Sequence, residues 1–286
     1  MASALITNRL KAYARFIKLE HTIFSLPLIF AGTLLHARGW PSGHVLWLIL
    51  LAAIGGRVMA MGLNRIIDAR IDARNPRTSG RELPRGAMEP WEAWLIVAMG
   101  ALCYLGSAAE LAPICLRLSP IPVALFVLYP YLKRFTVLSH VGLGLTWSMA
   151  PLAGWLASSR SLGGIMEAVG WLWLFSLLWV AGFDIIYALL DETFDREAGL
   201  HSLPARLGRA RALVVAAVLH AAAFLSLVAL WVTQLRTPLA LLLLVAVGAL
   251  FLWQHAIASK RPAFAFFQIN AILGFTVLGF VLSGVS

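Results

Sequence analysis

All the aspartates of the chain lie in two short segments of its sequence: Asp68, Asp72, Asp184, Asp191 and Asp195. In each segment two aspartates are four residues apart, and a polar residue four positions earlier, Asn64 or Tyr187, extends the set. Four residues on an α-helix advance about 400°, so side chains at this spacing project from one face. The spacing therefore predicts two stripes of polar side chains, one for each segment.

Four clustered carboxylates repel one another unless a cation lies between them. Carboxylate oxygens suit hard divalent ions, and Mg²⁺ typically takes one or two carboxylates together with substrate phosphates. Basic residues that could bind phosphate oxygens follow in neighbouring loops: Arg77, Arg81, Lys133 and Arg134. A helix-end ion pair would explain any one of these acids, but not two matched clusters. The combination predicts a magnesium–diphosphate site with the metal ligands Asp68, Asp72, Asp191 and Asp195.

Two charged residues lie deeper along the same predicted helices. Arg57 is seven residues before Asn64, about two turns, and Asp184 is seven residues before Asp191. Charges at membrane depth are costly and usually mark a site. Arg57 either forms an ion pair with Asp184 or is the counter-ion of an aromatic carboxylate, and Asp184 either orients such an acceptor or takes its proton. His201 follows the second aspartate cluster and is predicted to contact phosphate.

The elements that carry these residues are predicted to be membrane-spanning helices. The 286-residue chain is 60% apolar and 13% charged, against about 45–50% and 25% in soluble domains. A spanning helix needs about 20 apolar residues. Nine stretches fit: about 22–37, 44–67, 91–112, 114–132, 141–159, 165–190, 212–234, 238–258 and 264–285. We therefore expect a single all-α membrane domain over residues 1–286, with the aspartate clusters at the ends of spans two and six.

The basic residues predict the orientation of the chain. Eighteen of the 23 lie in segments on the side of the N-terminus, four lie on the opposite side, and Arg57 lies within a span. Basic residues collect on the cytoplasmic side of a membrane. We therefore expect a multi-pass protein of the inner (plasma) membrane with a cytoplasmic N-terminus. The net charge of +10 fits topology and contact with anionic lipid better than nucleic-acid binding.

The motifs give the chain a recognisable pattern, which resembles the UbiA superfamily of membrane prenyltransferases. That family carries an N-x-x-x-D-x-x-x-D motif, matched at 64–72, and a D-x-x-x-D motif, matched at 191–195. Its Tyr-x-x-x-Lys element is matched by Tyr129 and Lys133 in YPYLKRFT. The strings NPRTSGRELP and YALLDETFDREAGLHSLPARLG look most like the 4-hydroxybenzoate polyprenyltransferase branch, and especially like its MqnP-type members on the futalosine route to menaquinone.

The resemblance implies a helical bundle around a central cavity with cytoplasmic cap loops. Mg²⁺ held by the aspartates would bind a polyprenyl diphosphate, whose tail would lie in an apolar tunnel. The implied reaction is cleavage of the allylic C–O bond with departure of diphosphate, followed by attack of an electron-rich carbon of an aromatic acceptor and loss of the ring proton, which restores aromaticity. Phe24, Trp147 and Tyr187 could shelter the cation. Candidate acceptors are 4-hydroxybenzoate in ubiquinone or menaquinone synthesis, a dihydroxynaphthoate, a haem precursor or another phenol.

Two functions of other classes also fit parts of the sequence. A transporter for a small anion or a lipid would use buried charges and broken helices as well. Its site is expected near the middle of the bilayer, whereas these acids collect at the ends of spans. A lipid-binding structural subunit would not need five clustered aspartates. The location and the residue types therefore favour the enzyme.

Overall fold

The fold is all helical over the part of the chain that the computed structural model describes, which is residues 9, 12–18 and 26–285. The helices from residue 26 onwards are, in order, α1 (Leu26–Ala37), α2 (Gly43–Arg74), α3 (Pro90–Leu111), α4 (Pro113–Leu118), α5 (Pro120–Leu132), α6 (Ser139–Ser159), α7 (Ile165–Ala188), α8 (Glu192–Glu197), α9 (Leu203–Leu207), α10 (Arg209–Gln234), α11 (Pro238–Ala258), α12 (Pro262–Phe264) and α13 (Asn270–Val285). A π-helical turn, Ala265–Ile269, joins α12 to α13.

Seven segments of the described chain are long and apolar enough to cross a membrane: α2, α3, α4 with α5, α7, α10, α11, and α12 with α13. They confirm the prediction of an all-α, multi-pass membrane protein. The first predicted span corresponds to α1, which has 12 residues, and its predicted start at 22–25 lies outside the described residues. The fifth corresponds to α6, which has 21 residues. The count of nine spans stays a prediction.

The first stripe of polar residues is confirmed, because α2 runs unbroken through it. Its 32 residues extend about 48 Å at 1.5 Å per residue, well beyond a hydrocarbon core of about 30 Å. Ser42 caps its first turn by accepting the Val45 N–H at 3.4 Å. Asp68 and Asp72 lie near its other end, where a charged group is less costly than at mid-bilayer.

Close helix packing around the site depends on glycines. At Gly154 of α6, a Cβ atom would collide with the carbonyl oxygen of Ile29 on α1. Gly32 of α1 approaches the backbone of Pro151 on α6 just as closely. Small residues let the backbones of membrane helices approach closely. The resulting van der Waals contact stabilises the pair, because the hydrophobic effect does not drive helices together within lipid. These contacts fix α6 beside α1 and so define one wall of the bundle.

The second predicted stripe is wrong as a helical feature. α7 ends at Ala188, Asp191 lies in the turn that follows, and Asp195 belongs to the separate short helix α8. The N–H groups of residues 189–191 each donate to the carbonyl three positions earlier, a tightening that closes the helix. Four-residue spacing assumes a continuous helix. Here the side chain of Asp191 accepts hydrogen bonds from Asn75 and Arg77 of the loop after α2, and the turn that follows α7 places Asp191 next to them.

The π-helical turn places two aromatic residues against the end of α7. The Phe266 ring stacks on Tyr187 with centroids 4.2 Å apart, and Phe267 meets the same ring edge-on at 5.9 Å. Such a turn disturbs the backbone ladder, and buried polar backbone groups need partners. The Gln254 amide donates to the Ala265 carbonyl at 2.9 Å, and Asn270 donates to the Phe266 carbonyl at 2.8 Å. Side-chain amides thus stabilise the irregular turn inside the bundle.

Candidate active site

A cavity of about 640 Å³ lies between α2, α5, α6 and α7. Most of its wall is apolar, from Ile49 and Ala53 on α2 to Leu162, in the loop before α7, and Met166 in the first turn of α7. The polar residues collect at one end, which we call the aspartate end and which contains Asp68, Asp72, Asp191 and Asp195. A cavity with one charged end and a long apolar body suits a ligand that is itself amphipathic.

The two aspartates of α2 are buried and paired with basic residues. Asp68 is 2% exposed, and its carboxylate accepts hydrogen bonds from Lys133 at 2.5 Å and Arg134 at 3.3 Å. Asp72 accepts one from Arg81 at 2.5 Å. Asn64 donates to Asp68 at 3.3 Å. Each buried charge therefore has a counter-charge, as buried ions require.

Asp191 is held by the loop that follows α2. Arg77 donates two hydrogen bonds to its carboxylate, one of them from Nε at 2.7 Å, and Asn75 donates a third at 2.8 Å. Arg77 also donates to the Tyr187 hydroxyl at 2.8 Å. Burial alone would raise the pKa of Asp191, but the hydrogen bonds and the charge of Arg77 outweigh it and lower that pKa. A bidentate arginine is a strong, directional partner for a carboxylate, so Asp191 stays ionised.

Asp195 differs electrostatically from its neighbour Asp191. Burial raises the pKa of Asp195, and the nearby charge of Asp191 raises it further. Its carboxylate lines the cavity from α8. An acid whose charged form is disfavoured by burial and by a like charge gains most from a bound cation.

Two cations at the aspartate end were not predicted as site residues. Arg65 is 5% exposed, lines the cavity, and its Nε and Nη1 atoms have no hydrogen-bond partner among the described residues. Lys18 lies over the Phe267 ring at 5.6 Å, and burial with four nearby arginines lowers its pKa to about 8. Arg65 is three residues before Asp68, so helical periodicity could have found it, whereas nothing local marks Lys18. Together they give this end a surplus of positive charge.

Deeper in the cavity lies a second polar group, which we call the inner group and which comprises Arg57, His140, Trp147 and Asp184. The guanidinium carbon of Arg57 lies 5.5 Å from the centre of the Trp147 ring. The Asp184 carboxylate is 2.7 Å from His140 Nδ1. His140 also lines the cavity, although it was not predicted as a site residue. The sequence around His140 gives no indication of this role, because its hydrogen-bond partners lie on other helices.

Aromatic side chains form one wall between the two polar groups. Phe183 packs edge-to-face against Trp147 at 5.9 Å and against Phe266 at 5.3 Å, and Phe266 stacks on Tyr187. All four rings line the cavity. The faces of such rings attract cations. Trp147 and Tyr187 thus line the cavity, Phe24 lies outside the described residues, and the sheltering of a cation by these rings stays a prediction.

The cavity brings together most of the predicted site residues, with two placed behind its wall. The lining includes Asn64, Arg57, Asp184, Tyr129, Lys133 and Tyr187, as well as the four aspartates, Arg77 and Arg81. Arg134 is not part of the lining and binds Asp68 and the Ile67 carbonyl. His201 also lies outside the lining, and its backbone N–H donates a hydrogen bond to the backbone carbonyl of Lys133 at 2.8 Å. Their predicted contacts with phosphate stay predictions.

The donor set at the aspartate end fits a hard divalent cation. Within residues 9, 12–18 and 26–285, no three His, Cys, Asp or Glu side chains stand close enough together to hold a metal ion, and three of the aspartates are bound to basic side chains. Four carboxylates with two nearby side-chain amides supply the oxygen ligands that Mg²⁺ prefers. The surplus cations would suit the phosphates that usually complete such a site.

The fold and the site define a helical membrane protein with a cavity that is charged at one end and apolar along its body. The model of the UbiA prenyltransferase family matches residues 25–272, and the chain belongs to that family. It is 30% identical to the 4-hydroxybenzoate octaprenyltransferase of Vibrio cholerae over 281 residues, 96% of this chain and 98% of the relative. The apo structure of a UbiA homologue from Aeropyrum pernix K1 is 35% identical, with a TM-score of 0.84 over 90% of this chain and 95% of that one. A UbiA homologue from Archaeoglobus fulgidus, solved with DMAPP and Mg²⁺, shares the fold at 19% identity and a TM-score of 0.74 over 96% and 99% of the two chains.

Proposed function

We propose that this enzyme transfers a polyprenyl group from a polyprenyl diphosphate to an aromatic acid of the 4-hydroxybenzoate type, in a reaction that depends on Mg²⁺. The observation that carries the proposal is the cavity itself, with acidic and basic groups at one end and an apolar body behind them. A diphosphate fits the charged end, and an isoprenoid tail fits the rest. The name of the Vibrio relative supports the choice of acceptor.

The donor half of the reaction uses the aspartate end. Asp68, Asp72, Asp191 and Asp195 would hold Mg²⁺, and the bound ion supplies neutralisation of the departing diphosphate. The chain's own cations contribute to the same end. With the carboxylates of Asp191, Asp72 and Asp68 held by the metal, Arg77, Arg81 and Lys133 would be available to bind phosphate oxygens. Arg65 and Lys18 add charge as well, and among the described residues neither forms an ion pair with a carboxylate.

The apolar body of the cavity would exclude water from the reacting carbon. Cleavage of the allylic C–O bond leaves a delocalised cation that water would trap. The rings of Tyr187, Phe266 and Phe183 extend from the aspartate end toward the inner group, so they lie where positive charge would develop. Preorganised groups of this kind lower the barrier because they need no rearrangement during the reaction.

The inner group would bind the aromatic acceptor. Arg57 would pair with its carboxylate while Trp147 stacks beside it. Asp184 would accept a hydrogen bond from the ring hydroxyl and so turn the ring carbon next to the hydroxyl toward the donor. A dihydroxynaphthoate on the futalosine route to menaquinone is the alternative acceptor within this class. Both ligands present a carboxylate and a hydroxyl on an aromatic frame.

We also propose the predicted topology of nine spans in a single domain, with the N-terminus and the aspartate end facing the cytoplasm. The count of spans adds α1 and α6 to the seven apolar segments. The asymmetry of basic residues supports the orientation. Cysteine-accessibility labelling at Ser79, an exposed loop residue beside the aspartate end, would test it. Labelling of S79C only from the periplasmic side would reverse the assignment.

The function is tested with purified protein in lipid vesicles, a labelled polyprenyl diphosphate, Mg²⁺ and a panel of acceptors. Mass spectrometry of the product identifies both the acceptor and the position of the new C–C bond. We expect a prenylated aromatic acid, loss of product in EDTA, and loss of product in D68N and D191N while both variants remain folded. Full activity in EDTA would refute the metal. Saturable uptake of ligand without product would favour a transporter.

A further inference from the structure

His140 connects the inner group of the cavity to α9, the short helix that follows the second aspartate cluster. It lies in the first turn of α6, is 3% exposed, and touches a different element with each ring nitrogen. Nδ1 is 2.7 Å from Asp184 on α7. Nε2 is 3.2 Å from the backbone nitrogen of Leu203, the first residue of α9. The second contact satisfies one of the N–H groups that a helix start leaves without a partner.

These two contacts determine which nitrogen of the ring carries the proton. A backbone N–H can only donate, so His140 Nε2 must accept from Leu203 and carries no hydrogen. In a neutral imidazole the proton then sits on Nδ1, from which it is donated to the Asp184 carboxylate. The ring is thereby locked as a donor toward Asp184 Oδ2. The Asp184 side chain is 22% exposed, so part of this carboxylate still faces the cavity.

We propose that His140 is a positioning residue for the acceptor: it fixes Asp184 so that the free part of its carboxylate accepts a hydrogen bond from the acceptor's ring hydroxyl. This inference rests on the proposed function. A carboxylate with one oxygen held by a rigid, buried donor cannot rotate away from the cavity. The Leu203 contact keeps the imidazole in the tautomer that can donate. His140 therefore acts on the acceptor through Asp184, because both of its ring nitrogens already have partners.

Two substitutions separate the contacts of His140. In His140→Asn the side-chain amide occupies the place of Nδ1, so it can donate to Asp184 but cannot reach Leu203. In His140→Gln the amide reaches the place of Nε2, so it can accept from Leu203 but loses Asp184. We expect His140→Gln to raise the KM for the acceptor about 10-fold or more, the effect of losing one hydrogen bond to a charged group. His140→Asn should stay within about 3-fold of wild type, and both should leave the KM for the prenyl diphosphate unchanged.

The opposite ranking would overturn the inference, because an impaired Asn variant and an active Gln variant would mean that His140 acts by holding α9. Equal losses in both variants, accompanied by lower melting temperatures, would also overturn it in favour of a purely structural role. A rise in the KM for the prenyl diphosphate equal to that for the acceptor would contradict a role at the inner group.

A spectroscopic measurement tests the same geometry without turnover. In ¹⁵N-histidine-labelled protein, the imidazole signals that His140→Gln removes identify this residue among the seven histidines. We expect shifts of the neutral, Nδ1-protonated tautomer in the wild type. An Nε2-protonated ring would refute the inference even if the enzyme is active. Absence of prenyl transfer by the wild type would instead refute the proposed function and with it the acceptor role, while leaving the tautomer as measured.

Discussion

Replacing Arg81 by alanine should tighten the binding of a divalent cation to the ligand-free enzyme. Arg81 Nη1 lies 2.5 Å from Asp72 Oδ2, with the two side chains 20% and 7% exposed. A metal ion that is to use this carboxylate must first displace the guanidinium. The variant removes that competitor, and it also removes one positive charge close to the incoming cation. The expected direction is unusual, since the loss of an ion pair strengthens the binding of a ligand.

The size of the effect follows from the contact that is lost. A hydrogen bond to a charged group contributes about 1.5–3 kcal/mol, and each 1.4 kcal/mol corresponds to about a tenfold change in affinity. We therefore expect the dissociation constant of the metal to fall about 10- to 150-fold in Arg81→Ala. The KM for the prenyl diphosphate should rise over a similar range, because the same guanidinium is proposed to bind phosphate once Asp72 holds the metal.

Mn²⁺ binding followed by electron paramagnetic resonance, without any phosphate present, measures the first effect. Arg74→Ala is the matched control: it removes the same charge seven residues earlier, at the last residue of α2, but Arg74 is exposed and pairs with none of the site's aspartates. We expect Arg74→Ala to bind Mn²⁺ like the wild type. The reasoning fails if Arg81→Ala binds Mn²⁺ no more tightly than the wild type, or if Arg74→Ala gives the same gain.

Three other outcomes are expected. Arg57→Ala should raise the KM for the aromatic acceptor more than the KM for the prenyl diphosphate, and equal effects would contradict its role as counter-ion. Gly154→Ala should destabilise the protein by about 1–3 kcal/mol, because its Cβ would collide with the Ile29 carbonyl, whereas Gly106→Ala, in open space on α3, should be neutral or slightly stabilising in a detergent melting assay. The KM for the prenyl diphosphate should rise as the pH passes above about 8, where Lys18 loses its charge, and Lys18→Arg should abolish this rise.

The sign of the Lys18 effect follows from its surroundings. Burial and the charges of Arg65, Arg81, Arg77 and Arg57 all disfavour its ammonium form, which places its pKa below that of a free lysine. Below that pKa the ammonium adds to the attraction for a diphosphate, and above it the attraction weakens. An arginine stays charged throughout this range. A pH profile of KM that is identical in the wild type and in Lys18→Arg would contradict the assignment.

The sequence predicted those parts of the site that depend on local periodicity. Asn64, Asp68 and Asp72 lie on one unbroken helix, so spacing alone placed them in the same cavity. Apolar run length predicted the all-helical membrane fold for the same reason, because both signals are contained within one segment. The family was recognised from the same motifs, and the match over residues 25–272 confirms it.

Features that depend on contacts between segments could not be predicted in this way. Asp191 and Asp195 keep the four-residue spacing but not the helix, because the loop after α2 supplies Asn75 and Arg77 to the turn. Lys18 enters the cavity from a segment with no motif of its own. His140 gains its partners from α7 and α9, which are more than 40 residues away in sequence. Composition and residue spacing carry no information about contacts between segments that are distant in sequence.

The π-helical turn at Ala265–Ile269 can be regarded as one residue inserted into an otherwise regular helix. Deleting a single residue there would restore α-helical register and rotate everything that follows by about 100° relative to what precedes it. Phe266 could then no longer stack on Tyr187 while Asn270 keeps its hydrogen bonds in the interior of the bundle. A protein with the same fold but without the stacking of Phe266 on Tyr187 should therefore have one residue fewer at this point of a sequence alignment. Such a one-residue gap would indicate a change in the wall of the cavity, although a gap is usually taken to indicate a change in a loop.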